Sequence, residues 1–203
     1  MVGKLGVFIL VAMLFSPPKQ KVILFFGDSL TAGYGLNPED AFPALIEKRL
    51  REDGLEAQVI NAGLSGETSA GGLTRIDWIL RQPIDVFILE LGANDGLRGL
   101  PLTETKKNLQ TILDKVKAKN PDCKLIVAGM MVPPNMGKEY SDDFKKLYPE
   151  LASKNKAALI PFLLNSVAGN EGLNQADGIH PNALGHSIVA NNVYAVLKPI
   201  VFK

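Results

Sequence analysis

The chain has a single cysteine, Cys123, among its 203 residues. An intramolecular disulfide is therefore impossible, and a cysteine-based metal site is not expected. An excess of charge is also lacking, because 22 Lys and Arg stand against 21 Asp and Glu. Nothing in this balance argues for a nucleic-acid partner. The remaining composition, 46% hydrophobic and 21% charged, is typical of one globular domain with a sizeable core.

An apolar run long enough to span a bilayer is missing as well. The longest run, Leu5–Phe15, has eleven residues, with Lys4 before it and Ser16-Pro17-Pro18 after it. That length is too short for a membrane span but matches the apolar core of a secretory signal. An extra strand or a buried helix is the alternative. We expect residues 1–20 to be a signal peptide or N-terminal anchor of an exported, periplasmic or secreted protein, and residues 21–203 to be its folded domain. If the run is not a signal, a cytoplasmic location follows.

Two common catalytic and cofactor motifs are absent. No Gly-x-Ser-x-Gly occurs, which argues against the common α/β-hydrolase arrangement. No Gly-x-Gly-x-x-Gly and no phosphate-binding loop occurs either, so we expect no nucleotide cofactor.

Strand-like and helix-like patterns alternate along the chain from Lys21 onward. The apolar runs predict strands over 22–26, 58–62, 86–91, 124–129 and 158–162. Helical periodicity predicts helices over 41–52, 68–81, 103–119 and 141–155, and a last helix capped by Asn182. Five strands alternating with helices predict a parallel sheet with helices on both faces, a three-layer α/β/α sandwich.

The polar loops of interest follow predicted strands. Residues 27–30, 61–68 and 92–96 come after the first three strands, and residues 177–181 precede the last helix. Because open α/β sheets bind ligands at the carboxyl ends of their strands, we expect these loops to meet at one edge.

A general base is easy to search for, since the chain has only two histidines. His186 lies within the last helix, off its apolar stripe, which predicts a structural or exposed residue. His180 lies in a loop, three residues after Asp177. That spacing lets the carboxylate hold Nδ1 and leaves Nε2 for a serine hydroxyl. A metal site at Asp177 and His180 would lack further ligands at a suitable spacing.

Ser29, just past the first strand, is the candidate nucleophile. By position alone a turn or capping role is the more common one. Acyl transfer also needs donors to a developing oxyanion, and the N–H groups of Ser29 and Gly66 and the Asn94 side chain are candidates. Each alone is ordinary turn chemistry, but together with Asp177 and His180 they form a complete set.

These loops resemble the four sequence blocks of the SGNH (GDSL-type) hydrolases. Gly27-Asp28-Ser29-Leu30 matches the nucleophile block, Gly66 the glycine block, Gly92-Ala93-Asn94-Asp95 the asparagine block, and Asp177-Gly178-Ile179-His180 the acid–base block. The segments 61–69, 90–99 and 177–182 are similar to the bacterial arylesterase, thioesterase and lysophospholipase branch. One departure is Ala93, where relatives often carry a second glycine.

The resemblance implies a fold, an activity and a set of site residues. The fold is flavodoxin-like, with strand order 2-1-3-4-5. The activity is that of a serine esterase acting on aryl or acyl esters, with thioesters and lysophospholipids as further substrates. Ser29 is the nucleophile and His180 the base, oriented by Asp177, while Ser29, Gly66 and Asn94 form the oxyanion hole. No metal or cofactor is implied.

The loop after the fourth strand, residues 130–137, is a candidate wall of the acyl groove, with gap-filling in the core as the alternative role of its three methionines; the resemblance favours the groove. Its candidate substrate-binding residues are Met131, Pro133, Asn135 and Met136. The implied partner is a small-molecule ester or lipid, with transient membrane or lipid contact, and the protein is expected to be a monomer or a weak homo-oligomer. A carbohydrate acetylesterase, a membrane-tethered binding module without activity and a nucleotide-binding flavodoxin-like protein remain alternatives.

Several residues near these loops are predicted to be structural. Asp28 and Asp95 are expected to make loop-fixing hydrogen bonds, and Glu67 and Arg98 to be structural too. Trp78 is expected to pack within its helix, between Ile76 and Ile79.

Overall fold

The predicted strands form one parallel sheet in a computed structural model, which describes residues 20–202. The strands are β1 (Lys21–Gly27), β2 (Ala57–Gly63), β3 (Val86–Glu90), β4 (Lys124–Ala128) and β5 (Ala158–Ile160). Their order is β2-β1-β3-β4-β5, and every neighbouring pair is parallel. The predicted fold class and strand order are therefore confirmed. The predicted signal segment lies outside the described residues, apart from Gln20.

Helices cover both faces of the sheet. They are α1 (Ser29–Ala32), α2 (Phe42–Glu52), α3 (Ser69–Ile79), α4 (Ala93–Leu97), α5 (Leu102–Lys119), α6 (Lys138–Asn155) and α7 (Ala183–Val201). Helix α2 packs against α7, whereas α5 lies between α3 and α6. Periodicity did not reveal α1 and α4, because four or five residues are too short to show a helical repeat. Helix α6 begins three residues before its predicted start. None of the helices within residues 20–202 is long and apolar enough to span a bilayer.

The central strand β1 brings the first loop to the middle of the sheet. Ile23, Leu24, Phe25 and Phe26 are all fully buried, as expected for a parallel strand covered on both faces. Gly27 ends the strand between its neighbours in β2 and β3, pairing with Gly63 and Glu90. The three loops that follow these strands therefore leave the sheet side by side.

Trp78 and Cys123, which lie away from these loops, can also be compared with the sequence-based expectations. The predicted packing role of Trp78 is wrong, since its side chain is 67% exposed while Ile76 and Ile79 on the same helix are buried. Ile76 and Ile79, three residues apart, lie on the same face of α3, whereas Trp78, two residues after Ile76, lies on the opposite side of the helix. Cys123 is buried immediately before β4, and burial raises the pKa of its thiol to about 12, so it is not a reactive thiolate.

Candidate active site

Ser29, His180 and Asp177 form a hydrogen-bonded relay at the carboxyl edge of the sheet. The Ser29 Oγ atom lies 2.9 Å from His180 Nε2, and His180 Nδ1 lies 2.7 Å from Asp177 Oδ2. A carboxylate only accepts, so Nδ1 carries the proton and Nε2 presents its lone pair to the serine hydroxyl. The structure thus brings together residues that are 151 positions apart in the chain.

Asp177 holds its own loop as well as the imidazole. Its Oδ1 accepts hydrogen bonds from the N–H groups of Ile179 and His180, at 2.9 and 3.0 Å. Gly178 has φ +68°, the left-handed conformation that this tight turn requires. These bonds to the ionised form lower the pKa of Asp177 to about 2, with the His180 hydrogen bond as the largest cause. Asp177 is therefore ionised at any pH near neutrality.

The loop that carries His180 is fastened to the segment after α1. Gln175 Nε2 donates to the carbonyl of Tyr34 at 2.7 Å, and the Gln175 N–H donates to the carbonyl of His180 at 2.7 Å. The Tyr34 ring lies against the imidazole, with 4.6 Å between the ring centroids. Neither Tyr34 nor Gln175 belongs to a motif, so the sequence alone gave no reason to single them out.

Ser29, the predicted nucleophile, begins the short helix α1. Asp28 caps this helix by accepting the N–H of Leu30 at 3.0 Å, and Gly33 ends it in the left-handed conformation. The N–H of Ser29 lies in the first turn, where no carbonyl within the helix can accept it. Within the described part of the chain, no other group accepts it either.

The Gly66 loop is held by an arginine that sequence reasoning missed. Arg75 on α3 donates to Glu67 Oε1 at 2.6 Å and to the carbonyl of Ala62 at 2.8 Å, and its guanidinium lies 4.1 Å from the centroid of the Phe26 ring. Glu67 is buried, which agrees with a structural role. Gly66 has φ +79°, and its N–H is unpaired among residues 20–202.

Asn94 lies at the start of α4 and is bound to the nucleophile turn. Its Nδ2 donates to Asp28 Oδ2 at 3.0 Å, which uses one of the two amide N–H groups. Arg98, four residues later, donates to the carbonyl of Gly66 at 3.1 Å. The segment after β3 is thus bonded both to the turn of Ser29 and to the Gly66 loop. Asp28 makes the loop-fixing hydrogen bonds predicted for it, and the contact of Arg98 agrees with its predicted structural role.

Asp95, the residue after Asn94, fixes the same segment through hydrogen bonds from α3 and α5. Its carboxylate accepts the N–H and the hydroxyl of Ser69 at 2.8 and 2.5 Å, and the hydroxyl of Thr105 at 3.2 Å. These contacts join α3, α4 and α5 around one buried group. They agree with the predicted loop-fixing role.

The loop after β4 lies against the segment that follows Asn94. A Cβ added at Gly96 would lie 2.4 Å from Val132 Cγ1, and the Tyr140 hydroxyl donates to the carbonyl of Leu100 at 2.8 Å. Of the predicted substrate-binding residues, Met131, Pro133 and Asn135 are exposed and Met136 is half-buried. None of the four makes a hydrogen bond from its side chain to Ser29, His180 or Asp177 within the described chain.

His186 is buried in α7 and does not join the relay. Its side chain is 1% exposed, and Nδ1 accepts the N–H of Phe42 at 3.1 Å. Burial, the largest cause, and the nearby His180 lower the pKa of His186 to about 4, so the ring is neutral near pH 7. The sequence predicts a structural or an exposed role for His186, and the buried ring shows that the role is structural.

No group of three or more metal-ligating side chains occurs in the described chain. The predicted relay and the N–H donors of its neighbouring loops agree with the arrangement that acyl transfer needs. Comparison with known proteins supports the same kind of chemistry. Residues 25–188 match the sequence pattern of the GDSL-like lipase/acylhydrolase family.

The chain belongs to that family. It is 38% identical over 182 residues to the esterase TesA of Pseudomonas aeruginosa, covering 89% of this chain and 90% of the relative. It is 36% identical over 193 residues to thioesterase 1/protease 1/lysophospholipase L1 of Escherichia coli K12, covering 95% and 90%. The crystal structure of AlinE4, an SGNH-hydrolase family esterase, is 44% identical with a TM-score of 0.75, over 91% of this chain and 98% of that one. The predicted family and enzyme class, a carboxylic ester hydrolase, are confirmed.

Glu90 is a further buried polar residue at this edge that sequence reasoning missed. The apolar run predicts it as part of the third strand, and its side chain lies beneath the turn that carries Ser29. A signal existed, since a glutamate at the end of an otherwise apolar strand is an unusual core residue.

Proposed function

We propose that the protein hydrolyses carboxylic esters through an acyl-enzyme formed on Ser29. The observation that carries the proposal is the relay from Ser29 Oγ through His180 to Asp177, at 2.9 and 2.7 Å. A serine hydroxyl is a weak nucleophile by itself, and a positioned base makes it reactive. Here the base, its orienting carboxylate and the hydroxyl are already in hydrogen-bond contact.

The reaction follows from the protonation state of the relay. His180 Nε2 removes the proton from Ser29 Oγ as the oxygen attacks the ester carbonyl. The imidazolium that forms is stabilised by ionised Asp177 and then protonates the departing alcohol or thiol. In the second half, His180 takes a proton from water, which attacks the acyl carbonyl, and returns it to Ser29 as the acid leaves.

Three N–H donors are assigned to the oxyanion. They are the backbone N–H groups of Ser29 and Gly66 and the second amide N–H of Asn94. Support comes from their free state in the described chain and from the contacts that tie their loops together, Asn94 to Asp28 and Arg98 to Gly66. The loss of one such donor costs about 10²–10³ in rate.

The substrate proposed is an ester or thioester with an apolar acyl chain, lysophospholipids included. Large apolar side chains are exposed in the loops at the carboxyl ends of the strands, although such residues are usually buried. They are Tyr34, Leu64, Leu97, Met131 and Ile179, between 40% and 53% exposed. Exposed apolar side chains in these positions favour binding of an acyl chain and transient contact with a lipid surface. The names of the relatives, esterase TesA and thioesterase 1/protease 1/lysophospholipase L1, point to the same substrates.

The acyl groove is assigned to the loop after β4. Met131, Pro133, Asn135 and Met136 lie in it, and the loop packs against the segment that begins with Asn94. An exposed methionine offers a flexible apolar wall that fits chains of different shapes. Met131→Asp is expected to raise KM for octanoyl esters more than for acetyl esters, at unchanged kcat for the acetyl ester.

One acyl-length series tests the activity. Hydrolysis of p-nitrophenyl esters from acetyl to palmitoyl, of acyl-thioesters and of lysophosphatidylcholine is measured for the parent protein and for Ser29→Ala, with Ser65→Ala as the matched control. We expect Ser29→Ala to lose activity on every substrate and Ser65→Ala to keep it. Activity retained in Ser29→Ala would overturn the proposal. Activity that falls steeply beyond acetyl would favour a carbohydrate acetylesterase instead.

We also propose that residues 1–20 act as an export signal or anchor. The argument is the apolar run Leu5–Phe15 between Lys4 and two prolines. The intact mass of the protein from fractionated cells tests it. We expect the exported protein to be lighter than the full-length chain by about the mass of residues 1–20. Full-length protein found only in the cytoplasm would contradict export.

A further inference from the structure

Glu90 lies directly beneath the turn that carries the nucleophile. It is the last residue of β3 and is 1% exposed. Its Oε2 accepts the N–H of Asp28 at 3.1 Å and the hydroxyl of Thr31 at 2.7 Å. A Cβ on Gly27 would lie 2.4 Å from this oxygen, so the carboxyl approaches the turn as closely as only glycine permits. Glu90 therefore binds α1 on both sides of Ser29.

The contact continues from Asp28 to a proposed oxyanion donor. Asp28 is held by Glu90 through its backbone N–H, while its side chain accepts the N–H of Leu30 and the amide of Asn94, both at 3.0 Å. Asn94 follows Glu90 by four residues, in the helix α4 that comes after the same strand. Asp28 is thus held at two points: Glu90 accepts its backbone N–H, and Asn94 donates to its carboxylate.

The charge state of Glu90 suits a fixed acceptor. Burial is the main cause that raises its pKa well above the usual range, and the negative charge of Asp28 raises it further. The other carboxyl oxygen, Oε1, is buried and has no partner within residues 20–202. A carboxylate in this place would leave negative charge in an apolar interior, so the neutral acid is the form that fits.

We propose that Glu90 is a positioning residue for the reaction, which through Asp28 aims the Ser29 N–H and the Asn94 amide at the developing oxyanion. The inference rests on the proposed function of Ser29 and Asn94. It distinguishes Glu90 from the buried apolar residues beside it in β3, whose side chains cannot accept a hydrogen bond from Asp28 or Thr31.

Two variants of Glu90 separate positioning from mere support. Glu90→Gln keeps a neutral acceptor at the same length, and we expect its kcat to stay within about threefold of the parent. Glu90→Met keeps the length but removes the acceptor of both hydrogen bonds, and we expect kcat to fall about 10- to 100-fold at unchanged KM, the range expected when buried donors are left without an acceptor. Val116→Ala, a buried change in α5 far from the turn, is the matched control, which should lower the unfolding temperature but not kcat.

Coupling to Asn94 is the decisive measurement. If Glu90 acts through these donors, the loss caused by Glu90→Met is smaller in an Asn94→Ala background than in the parent, because only its effect on the Ser29 N–H remains there, whereas independent structural losses multiply. Multiplicative losses, or a Glu90→Met protein with the parent kcat, would overturn the inference. Should Glu90→Met not fold, Thr31→Val removes one of the two donors to Oε2, and its kcat must then fall several-fold. If Ser29→Ala loses activity while the Glu90 variants keep the parent kcat, the inference about Glu90 fails and the proposed function stands. If Ser29→Ala keeps its activity, the proposed function itself is refuted.

Discussion

The two histidines of this chain lie six residues apart and have opposite surroundings. His180 is in a loop, with one ring nitrogen on Asp177 and the other on Ser29. His186 is inside α7, fully buried, and only accepts a backbone N–H from Phe42. Each has an aromatic neighbour, Tyr34 for His180 and Phe42 for His186. Residue type therefore does not decide the role of a histidine; the groups that meet its two nitrogens do.

The largest expected effect separates the two rings by activity. His180→Ala is expected to lower kcat by about 10⁴-fold or more, because it removes the base for both halves of the reaction. Its unfolding temperature should change little, since the ring lies in a loop. His186→Asn is the matched control, with an oxygen in place of Nδ1, and should keep the parent kcat. Steady-state kinetics on p-nitrophenyl butyrate check both, and equal losses in the two variants would contradict the comparison.

The orienting carboxylate gives the next largest effect. Asp177→Asn should retain the loop hydrogen bonds at Oδ1 but favour the wrong imidazole tautomer, so we expect kcat to fall about 10³- to 10⁴-fold. Because the pKa of Asp177 is lowered to about 2, its protonation should not limit activity above pH 4. The pH profile of kcat/KM for parent and variant measures this. A variant as active as the parent would show that Asp177 does not orient the ring.

Stability should depend on pH through the other histidine. The pKa of His186 is about 4 in the fold against 6.5 in the unfolded chain, so the unfolded state binds more protons between these values. The free energy of unfolding should therefore fall as the pH drops from 6.5 to 4, by about 3 kcal/mol in total from this residue. Urea unfolding at several pH values measures it. His186→Asn is expected to reduce the slope, and an unchanged slope would contradict the assignment.

The smallest effect concerns the aromatic neighbour of His180. The Tyr34 ring lies 4.6 Å from the imidazole and should stabilise the imidazolium that forms during the reaction. Tyr34→Leu is expected to lower kcat about two- to fivefold, with the fold unaffected. Tyr34→Phe keeps the ring and is the matched control. A Phe variant as impaired as the Leu variant would show that the hydroxyl, not the ring, matters.

Much of the fold was predictable because the strands are continuous apolar runs. Strand β1, for example, could be placed within one residue at each end, since five apolar residues end at a glycine. The short helices α1 and α4 could not be found, and Trp78 was assigned to the wrong face. Its helix has two glycines and a weak pattern, so the core side was ambiguous.

The site was predictable only as a set of residues. Ser29, Asp177 and His180 were identified by residue type, loop position and resemblance to a family, and their distances agree with the relay proposed. The supporting contacts of Arg75, Gln175 and Glu90 were not, because each depends on packing between segments far apart in the chain.

Local patterns and residue types were enough to predict the parallel α/β fold and the family, and to name the candidate site residues. Only the folded structure shows which histidine is neutral and buried, which nitrogen of His180 faces Ser29, and that a glutamate lies beneath the turn that carries Ser29. The physical reason is that burial and hydrogen-bond partners come from distant segments, and these set the charge and direction of each side chain.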